Sequence, residues 1–310
     1  MRVVITGSSG LIGSALTASL LEDGHDVLRL VRGGPIEPGR ARWDPARGQL
    51  DPSLIDGADA VVGLGGAGVG DHRWTPAYKQ KLRESRVAGT ALLAGTIAAV
   101  FHPPKVFVSA SAVGYYGDVD GREVDESAPP GRDFLAGLTV QWEAAADAAA
   151  ARTRVVHPRF GIVLASSGGA FGRMLPLARL GLGGPLGDGS QYWSVISLTD
   201  TVRALRFALE HDGLAGPVNL TGPEPVTNKD FARELGRALH RPAVLPAPAF
   251  ALRLALGGFA DSVLMSQRVL PKALTAAGFT FAHPTAADAV RAVTDPDPKP
   301  IGSPPAAAPR

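Results

Sequence analysis

The sequence predicts an α/β protein built from βαβ units on a parallel sheet. Three observations carry that expectation. Short β-branched runs alternate with helical periodicity through the first half of the chain. The first of these runs ends in a Gly-x-x-Gly-x-x-Gly turn that opens a helix. From about Phe171 the alternation gives way to helices separated by Gly- and Pro-rich turns.

Val3-Val4-Ile5 reads as a buried strand, and Leu11 to Leu21 as a helix on which Ile12, Leu16 and Leu20 recur every fourth residue. Val27 to Val31 is the second strand and Ala58 to Leu64 the third. A helix follows from Ala88 to Val100, a strand at Val106 to Val108, a helix from Trp142 to Ala151 and a strand at Val155-Val156. In the second half, Thr199 to His211 and Asn228 to Leu239 read as helices around a short strand at Val218 to Leu220. Phe250 to Gly278 reads as mostly helical. Thr294 to Arg310 holds six prolines and three consecutive alanines, the composition of a disordered tail.

Composition narrows the function. At 310 residues the chain has room for two units of roughly 100–200 residues. With 45% hydrophobic and 19% charged residues it can bury a sizeable core. Cysteine is absent, which removes disulfides, thiolate metal sites and thiol nucleophiles and suits a reducing cytoplasm. A net charge of +2 with no basic run argues against nucleic acid, and no stretch approaches the ~20 apolar residues of a membrane helix. Because Met1 leads directly into a strand, no signal peptide is expected. Seven scattered histidines make no metal-ligand pattern, so no metal is expected either.

The turn Thr6-Gly7-Ser8-Ser9-Gly10-Leu11-Ile12-Gly13 has the chemistry of a dinucleotide site. Gly7 permits the tight turn, Gly10 lets backbone approach a pyrophosphate, and Gly13 lets the helix pack on the sheet. The helix N-terminus then offers free N–H groups to the phosphates. At the end of the second strand, where NAD sites carry an acid, the chain reads Leu30-Val31-Arg32-Gly33. Arg32 favours the 2′-phosphate of NADP(H).

The TGxxGxxG turn resembles the extended short-chain dehydrogenase/reductase superfamily. Further pieces narrow the resemblance to its atypical "epimerase family" proteins, the SDR family 39U group. They include Leu64-Gly65-Gly66-Ala67, Arg73-Trp74-Thr75, Ser85-Arg86-Val87, Ser109 to Gly117, Trp142-Glu143, Arg159 to Leu164, Gly183 to Gly187, Ser266 to Pro271 and Gly278 to Phe281. These span nearly the whole chain. The resemblance implies a Rossmann-like doubly wound parallel sheet of about seven strands with a smaller C-terminal substrate lobe. It places an NADP-binding Rossmann domain at 1–225, to which 165–195 add part of the substrate lobe. The C-terminal lobe is placed at 226–293, with a helical family-specific module at about 245–292. Cofactor contacts are implied at Gly7, Ser9, Gly10, Leu11, Ile12, Gly13, Arg32, Leu64, Gly65 and Gly66. Ser109, Ala110, Pro158 and Phe160 are implied near the nicotinamide.

The active site departs from the superfamily. Its members pair a Ser with Tyr-x-x-x-Lys, and no Tyr-x-x-x-Lys occurs in this chain. Aligned on Glu143, Leu135 takes the Tyr place and Thr139 the Lys place. Ser111 matches the Ser, and Tyr115 and Tyr116 are the nearest phenols for proton transfer, with Asp118 and Glu126 further along the loop. Packing or nicotinamide contact is the competing reading for both tyrosines, a backbone-bonded hydroxyl the one for Ser111. Glu143 reads as a helix-surface or inter-helix charge. Arg73 and Trp74 could hold an anionic or planar substrate, or clamp two lobes together. The run Gln191 to Ser197 matches a segment that usually reads Ser-Trp-Ile-His, with Val195 in place of the Trp and Ser197 in place of the His.

Two functions follow as expectations. One is a cytoplasmic NADP(H)-dependent oxidoreductase or nucleotide-sugar-epimerase-like enzyme on an unidentified small molecule. The other is a catalytically silent NADP(H)-binding sensor or regulator, for which a protein partner stays open.

Overall fold

The computed structural model describes residues 1–34 and 37–295. Seven strands form the main sheet: β1 (Arg2–Thr6), β2 (Asp26–Val31), β3 (Arg40–Arg42), β4 (Ala60–Gly63), β5 (Val106–Ser109), β6 (Arg154–Phe160) and β7 (Gly216–Leu220). Their spatial order is β7-β6-β5-β4-β1-β2-β3, all parallel, and the short strand Ser111–Ala112 adds to β6. The order reverses between β1 and β4. Beyond the carboxyl ends of those two strands lies the crevice where doubly wound sheets bind ligands.

Alternation along each strand sends side chains to two helical layers. On one face Val3, Ile5, Val62, Val108 and Val156 pack with Leu16 and Leu20 of α1 (Leu11–Glu22). Leu205 and Leu209 of α5 (Leu198–Glu210) complete that layer. On the other face Val4, Val61, Phe107 and Val155 meet Leu93 and Ile97 of α2 (Pro76–Ala99) and Ala146 of α3 (Phe134–Ala146). A sheet covered on both faces explains why its strands read as continuous apolar runs. Each fully buried Val, Ile, Leu or Phe contributes about 1.5–3 kcal/mol.

Two helices begin earlier than their apolar periodicity suggests. Thr75 caps α2 by accepting from the Tyr78 N–H, and Pro76 takes the first turn. Asp133 caps α3 by accepting from the Leu135 and Ala136 N–H groups. The last part of the expected helix to Ala151 is a 3₁₀ turn at Asp147–Ala149.

A second apolar cluster, with Phe171, Trp193, Phe231, Leu235 and Val290, joins α4 (Gly169–Arg179), α6 (Asn228–Leu239) and α10 (Ala286–Thr294). Short strands link it to the main body: Val195–Ser197 pairs with Ile162–Leu164, and Tyr192–Trp193 with Val226–Thr227. The stretch expected to be mostly helical contains α7 (Ala249–Leu256), α8 (Phe259–Leu264) and α9 (Lys272–Ala276). Between them Arg268–Val269 is extended, because it pairs in parallel with Glu123–Val124. Of the expected tail, residues 296–310 lie outside the described residues.

Gly13 shows how closely α1 sits on the sheet. A Cβ there would stand 2.2 Å from the Gly7 carbonyl oxygen, which is backbone and cannot swing away. A Cβ on Gly95, in the C-terminal part of α2, would have nothing within 4 Å among the described residues. Gly13→Ala is therefore expected to cost roughly 1–3 kcal/mol, and Gly95→Ala to add about 0.5–1 kcal/mol. Urea unfolding of both variants checks the contrast; equal effects would contradict this packing.

Candidate functional site

The site begins at the switch point. Gly7 has φ +70°, and a Cβ on it would lie 2.6–2.8 Å from the backbone of Leu64 and Gly65. The first turn and the end of β4 thus meet backbone to backbone, which only glycine permits. Gly10 is exposed at the mouth, and a Cβ there would meet only the Gly7 carbonyl at 3.3 Å. Helix α1 starts at Gly10 with neither a side-chain cap nor an acid in its first turn. Its leading N–H groups face an open cradle suited to an anion. Ser9 sits exposed in the turn, while Ile12, Leu64 and Phe160 rim the core beneath it.

The other expected cofactor residues lie around this crevice. Arg32 follows β2, exposed. Ser109 ends β5 fully buried, and among the described residues its hydroxyl has no hydrogen-bond partner. The Ala110 N–H donates to the Gly63 carbonyl at 3.0 Å. Pro158 and Phe160 lie on β6, paired with Val218 and Leu220.

A buried polar network lies beyond β5. Ser111, 1% exposed, donates through Oγ to Glu143 Oε1 at 2.5 Å. Arg159 Nε and Nη2 grip both oxygens of Glu143 at 2.8 Å each. Arg159 Nη1 donates to the Tyr116 hydroxyl at 2.9 Å, and that hydroxyl donates to Asn219 Oδ1 at 2.7 Å. The guanidinium also lies 3.5 Å from the centre of the Tyr115 ring. Burial pushes the Tyr116 phenol up to about 12, against the pull of Arg159. Burial opposes the charge on Arg159, but its contacts with Glu143 and Tyr116 together outweigh that and hold its pKa above the ordinary arginine value.

The three residues expected to carry chemistry are therefore brought together, but in different states. The Ser111 hydroxyl and the Tyr116 hydroxyl are both engaged inside the protein. Among the described residues the Tyr115 hydroxyl has no protein hydrogen-bond partner. In the place of the missing Tyr, Leu135 packs against Gly114, where a Cβ would stand 3.2 Å away. In the place of the missing Lys, Thr139 donates back to the Leu135 and Ala136 carbonyls. Glu143 is neither a surface nor an inter-helix charge, as expected from its helix, but half of a helix-to-strand pair. Its partner is a buried arginine on β6 that needs a counter-ion. Glu126 accepts from the Asn219 and Ala273 N–H groups, and Asp118 from the Asp120 N–H.

Arg73 and Trp74 make contacts between segments. Arg73 Nη2 donates to the Leu254 carbonyl. Trp74 packs edge-on to Phe134 at 5.2 Å and tilted against Phe259 at 5.6 Å. Arg173 of α4 reaches the same loop, at 2.6 Å from both the Gly70 carbonyl and Asp71. Val195 lies in a strand, and Ser197 caps α5 while bonding His283 Nδ1 at 2.9 Å.

One residue escaped the sequence reading although it stood in a quoted motif. Arg86 is 8% exposed, with no carboxylate partner among the described residues. Its guanidinium lies 5.1 Å from the Trp142 ring centre and would stand 3.3–3.4 Å from a Cβ on Gly66. Burial pulls its pKa down to about 10. Among the described residues its only protein hydrogen bond is a weak one, 3.3 Å to the Leu82 carbonyl. A cation so placed beside the crevice invites a polar or anionic ligand. The signal that could have found it is an arginine amid small and apolar residues on a helix that must pack.

Sheet order, glycine turn and switch-point crevice together define a Rossmann-fold protein of the short-chain dehydrogenase/reductase kind. The chain belongs to the NAD dependent epimerase/dehydratase family, which it matches over residues 3–220. Residues 247–293 match a domain of unknown function, DUF1731. An epimerase family protein of Mycobacterium leprae is 48% identical over 294 residues, covering 94% of this chain and 95% of that protein. The human epimerase family protein SDR39U1 is 38% identical over 297 residues, covering 94% of this chain and 99% of that protein. The crystal structure of human SDR39U1 isoform 2 with NADPH superimposes with a TM-score of 0.87 at 36% identity. That match covers 96% of this chain and the whole of the other.

The Glu143–Arg159 pair yields a stability test. Removing one partner leaves the other buried and uncompensated, at a cost of about 3–5 kcal/mol. Glu143→Ala is expected to lose that much in urea unfolding, and the double variant Glu143→Leu, Arg159→Met much less. Equal losses would show that the pair itself, rather than the orphaned charge, carries the stability.

Proposed function

We propose that this protein binds NADP(H) across the Gly7–Gly13 turn. We further propose that it works as an oxidoreductase or nucleotide-sugar-epimerase-like enzyme on a small molecule. The observation that carries the reading is the open cradle at Gly10, set between an uncapped helix N-terminus and the glycine pair at the end of β4. The residues fit the cofactor: Gly7, Gly10 and the first N–H groups of α1 hold the pyrophosphate, and Arg32 meets the 2′-phosphate. Leu64, Gly65 and Gly66 supply flat backbone, and Arg86 a cation beside it. The NADPH in the human SDR39U1 structure supports this assignment. Bound there, the nicotinamide supplies or accepts hydride.

The chain's own contribution is to hold and move a proton. Tyr115 is the better donor of the two tyrosines, since its hydroxyl is not spent inside the protein and its ring is fixed by Arg159. Tyr116 positions Arg159 and Asn219. Ser111 donates its hydroxyl hydrogen bond to Glu143, so toward a substrate it offers lone pairs and accepts from a hydroxyl. Arg73 and Trp74 act through the loop they clamp. A second reading, a catalytically silent NADP(H)-binding sensor or regulator, is favoured by one observation: Ser111 and Tyr116 are both enclosed.

Calorimetry with NADPH tests the cofactor site. Gly10→Val should abolish binding without changing the thermal melt, because its side chain fills the cradle and touches little else. Retained affinity in a folded variant would move the phosphates elsewhere.

An NADPH-consumption screen separates the two readings. With any substrate found, Tyr115→Phe should lower turnover by ~10²–10⁴-fold. Tyr116→Phe should chiefly lower stability. Tight NADPH binding with no turnover across carbonyl compounds and nucleotide sugars would give the sensor reading precedence.

A further inference from the structure

At the carboxyl end of β2 two arginines, Arg32 after that strand and Arg42 on the neighbouring β3, have no carboxylate partner among the described residues. Arg32 begins the turn after the strand. Alongside it β3 runs parallel, with Val31 paired to Arg42 and the Trp43 N–H donating to the Val31 carbonyl at 3.2 Å. The Arg42 side chain reaches back over this edge, and its Nη2 donates to the Gly34 carbonyl at 3.1 Å. Its guanidinium therefore lies on the same turn that Arg32 opens. Both residues are exposed.

The neighbouring charges are already committed. Glu37 pairs with Arg40 at 3.1 Å, and Asp44 with Arg47 at 3.6 Å. Arg29 donates to the Gly39 and Pro38 carbonyls. Among the described residues neither Arg32 nor Arg42 has an ion-pair partner. Two like charges gathered on one exposed turn repel each other, and an anion placed between them turns that repulsion into attraction.

We propose that Arg42 is the second cation of the 2′-phosphate site, closing on the phosphate from β3 while Arg32 meets it from β2. The inference rests on the reading that NADP(H) occupies the Gly7–Gly13 turn. There the adenosine ribose lies beyond the end of β2, where this fold reads the 2′ position. The carbonyl of Gly34 holds Arg42 in place before any ligand arrives, so less side-chain freedom is lost on binding. Selectivity between the two dinucleotides is thus shared between adjacent strands, and the short β3 becomes part of the cofactor site.

Calorimetry on the full chain with 2′,5′-ADP and 5′-AMP tests this, since the two probes differ by the phosphate in question. Arg42→Ala should weaken 2′,5′-ADP by on the order of tenfold and leave 5′-AMP unchanged. Arg42→Lys should recover part of the loss, because a point charge remains without the planar fork. Arg40→Ala, which removes a cation already paired, should change neither probe. The Arg32→Ala, Arg42→Ala double variant should bind the two probes alike. If Arg32→Ala erases the preference while Arg42→Ala leaves it whole, Arg42 is overturned and the NADP(H) reading stands. If the unmutated chain binds 2′,5′-ADP no tighter than 5′-AMP, both fall together.

Discussion

The organisation of the polar network beyond β5 depends on one buried ion pair. Glu143 sits on a helix and Arg159 on a strand, and their two-pronged contact fixes α3 against β6. From that contact the rest follows by hydrogen bonding. Ser111 is drawn to the carboxylate, Tyr116 to the guanidinium, and Asn219 of β7 to Tyr116. Tyr115 stacks on the free face of the same guanidinium. Such a network is costly to assemble from solvated groups and is worth its cost only when every member is satisfied. Here Ser111, Glu143, Arg159, Tyr116 and Asn219 are all paired, so the loop from Ser111 to Gly117 has little freedom to rearrange.

That network stands beside the helix positions where the superfamily carries Tyr-x-x-x-Lys, here Leu135 and Thr139. A lysine in the place of Thr139 would bring a second cation toward the region Arg159 and Arg86 already serve. The helix instead closes on itself there, with the threonine hydroxyl turned back to its own carbonyls. Positive charge has moved from the helix that usually supplies it to the strand on one side and α2 on the other.

The first half of the fold was legible because it is periodic. Strands such as Val3-Val4-Ile5 are buried on both faces and bounded by glycine, so local composition suffices to find them. The glycine turn was equally plain, since each glycine answers a separate backbone constraint. What was hidden depends on partners distant in sequence. Nothing near Glu143 announces Arg159, sixteen residues on. Nothing near Arg268 announces a strand, because the pairing edge lies at Glu123–Val124. Arg86 was visible as a letter in a motif, but its isolation among apolar neighbours exists only after α2 and α3 have packed. The pairing of Arg42 with the end of β2 is likewise a product of register rather than of spacing.

Residues from the end of the chain complete the centre of the site. Asn219, which holds Tyr116, is itself held by the Leu270 carbonyl. The buried carboxylate of Asp200 accepts the N–H groups of Ala282 and His283. A chain that ends at β7 therefore has the strands of its parallel sheet, yet its Asn219 amide lacks the Leu270 carbonyl, and its Asp200 keeps only Ser197 and Arg203 as partners. The sheet can form before residues 270–283 are made, but the polar network around Asn219 and Asp200 is complete only once they have been added. A product cut before Leu270 is thus left with the parallel sheet and a polar network short of one acceptor and two donors.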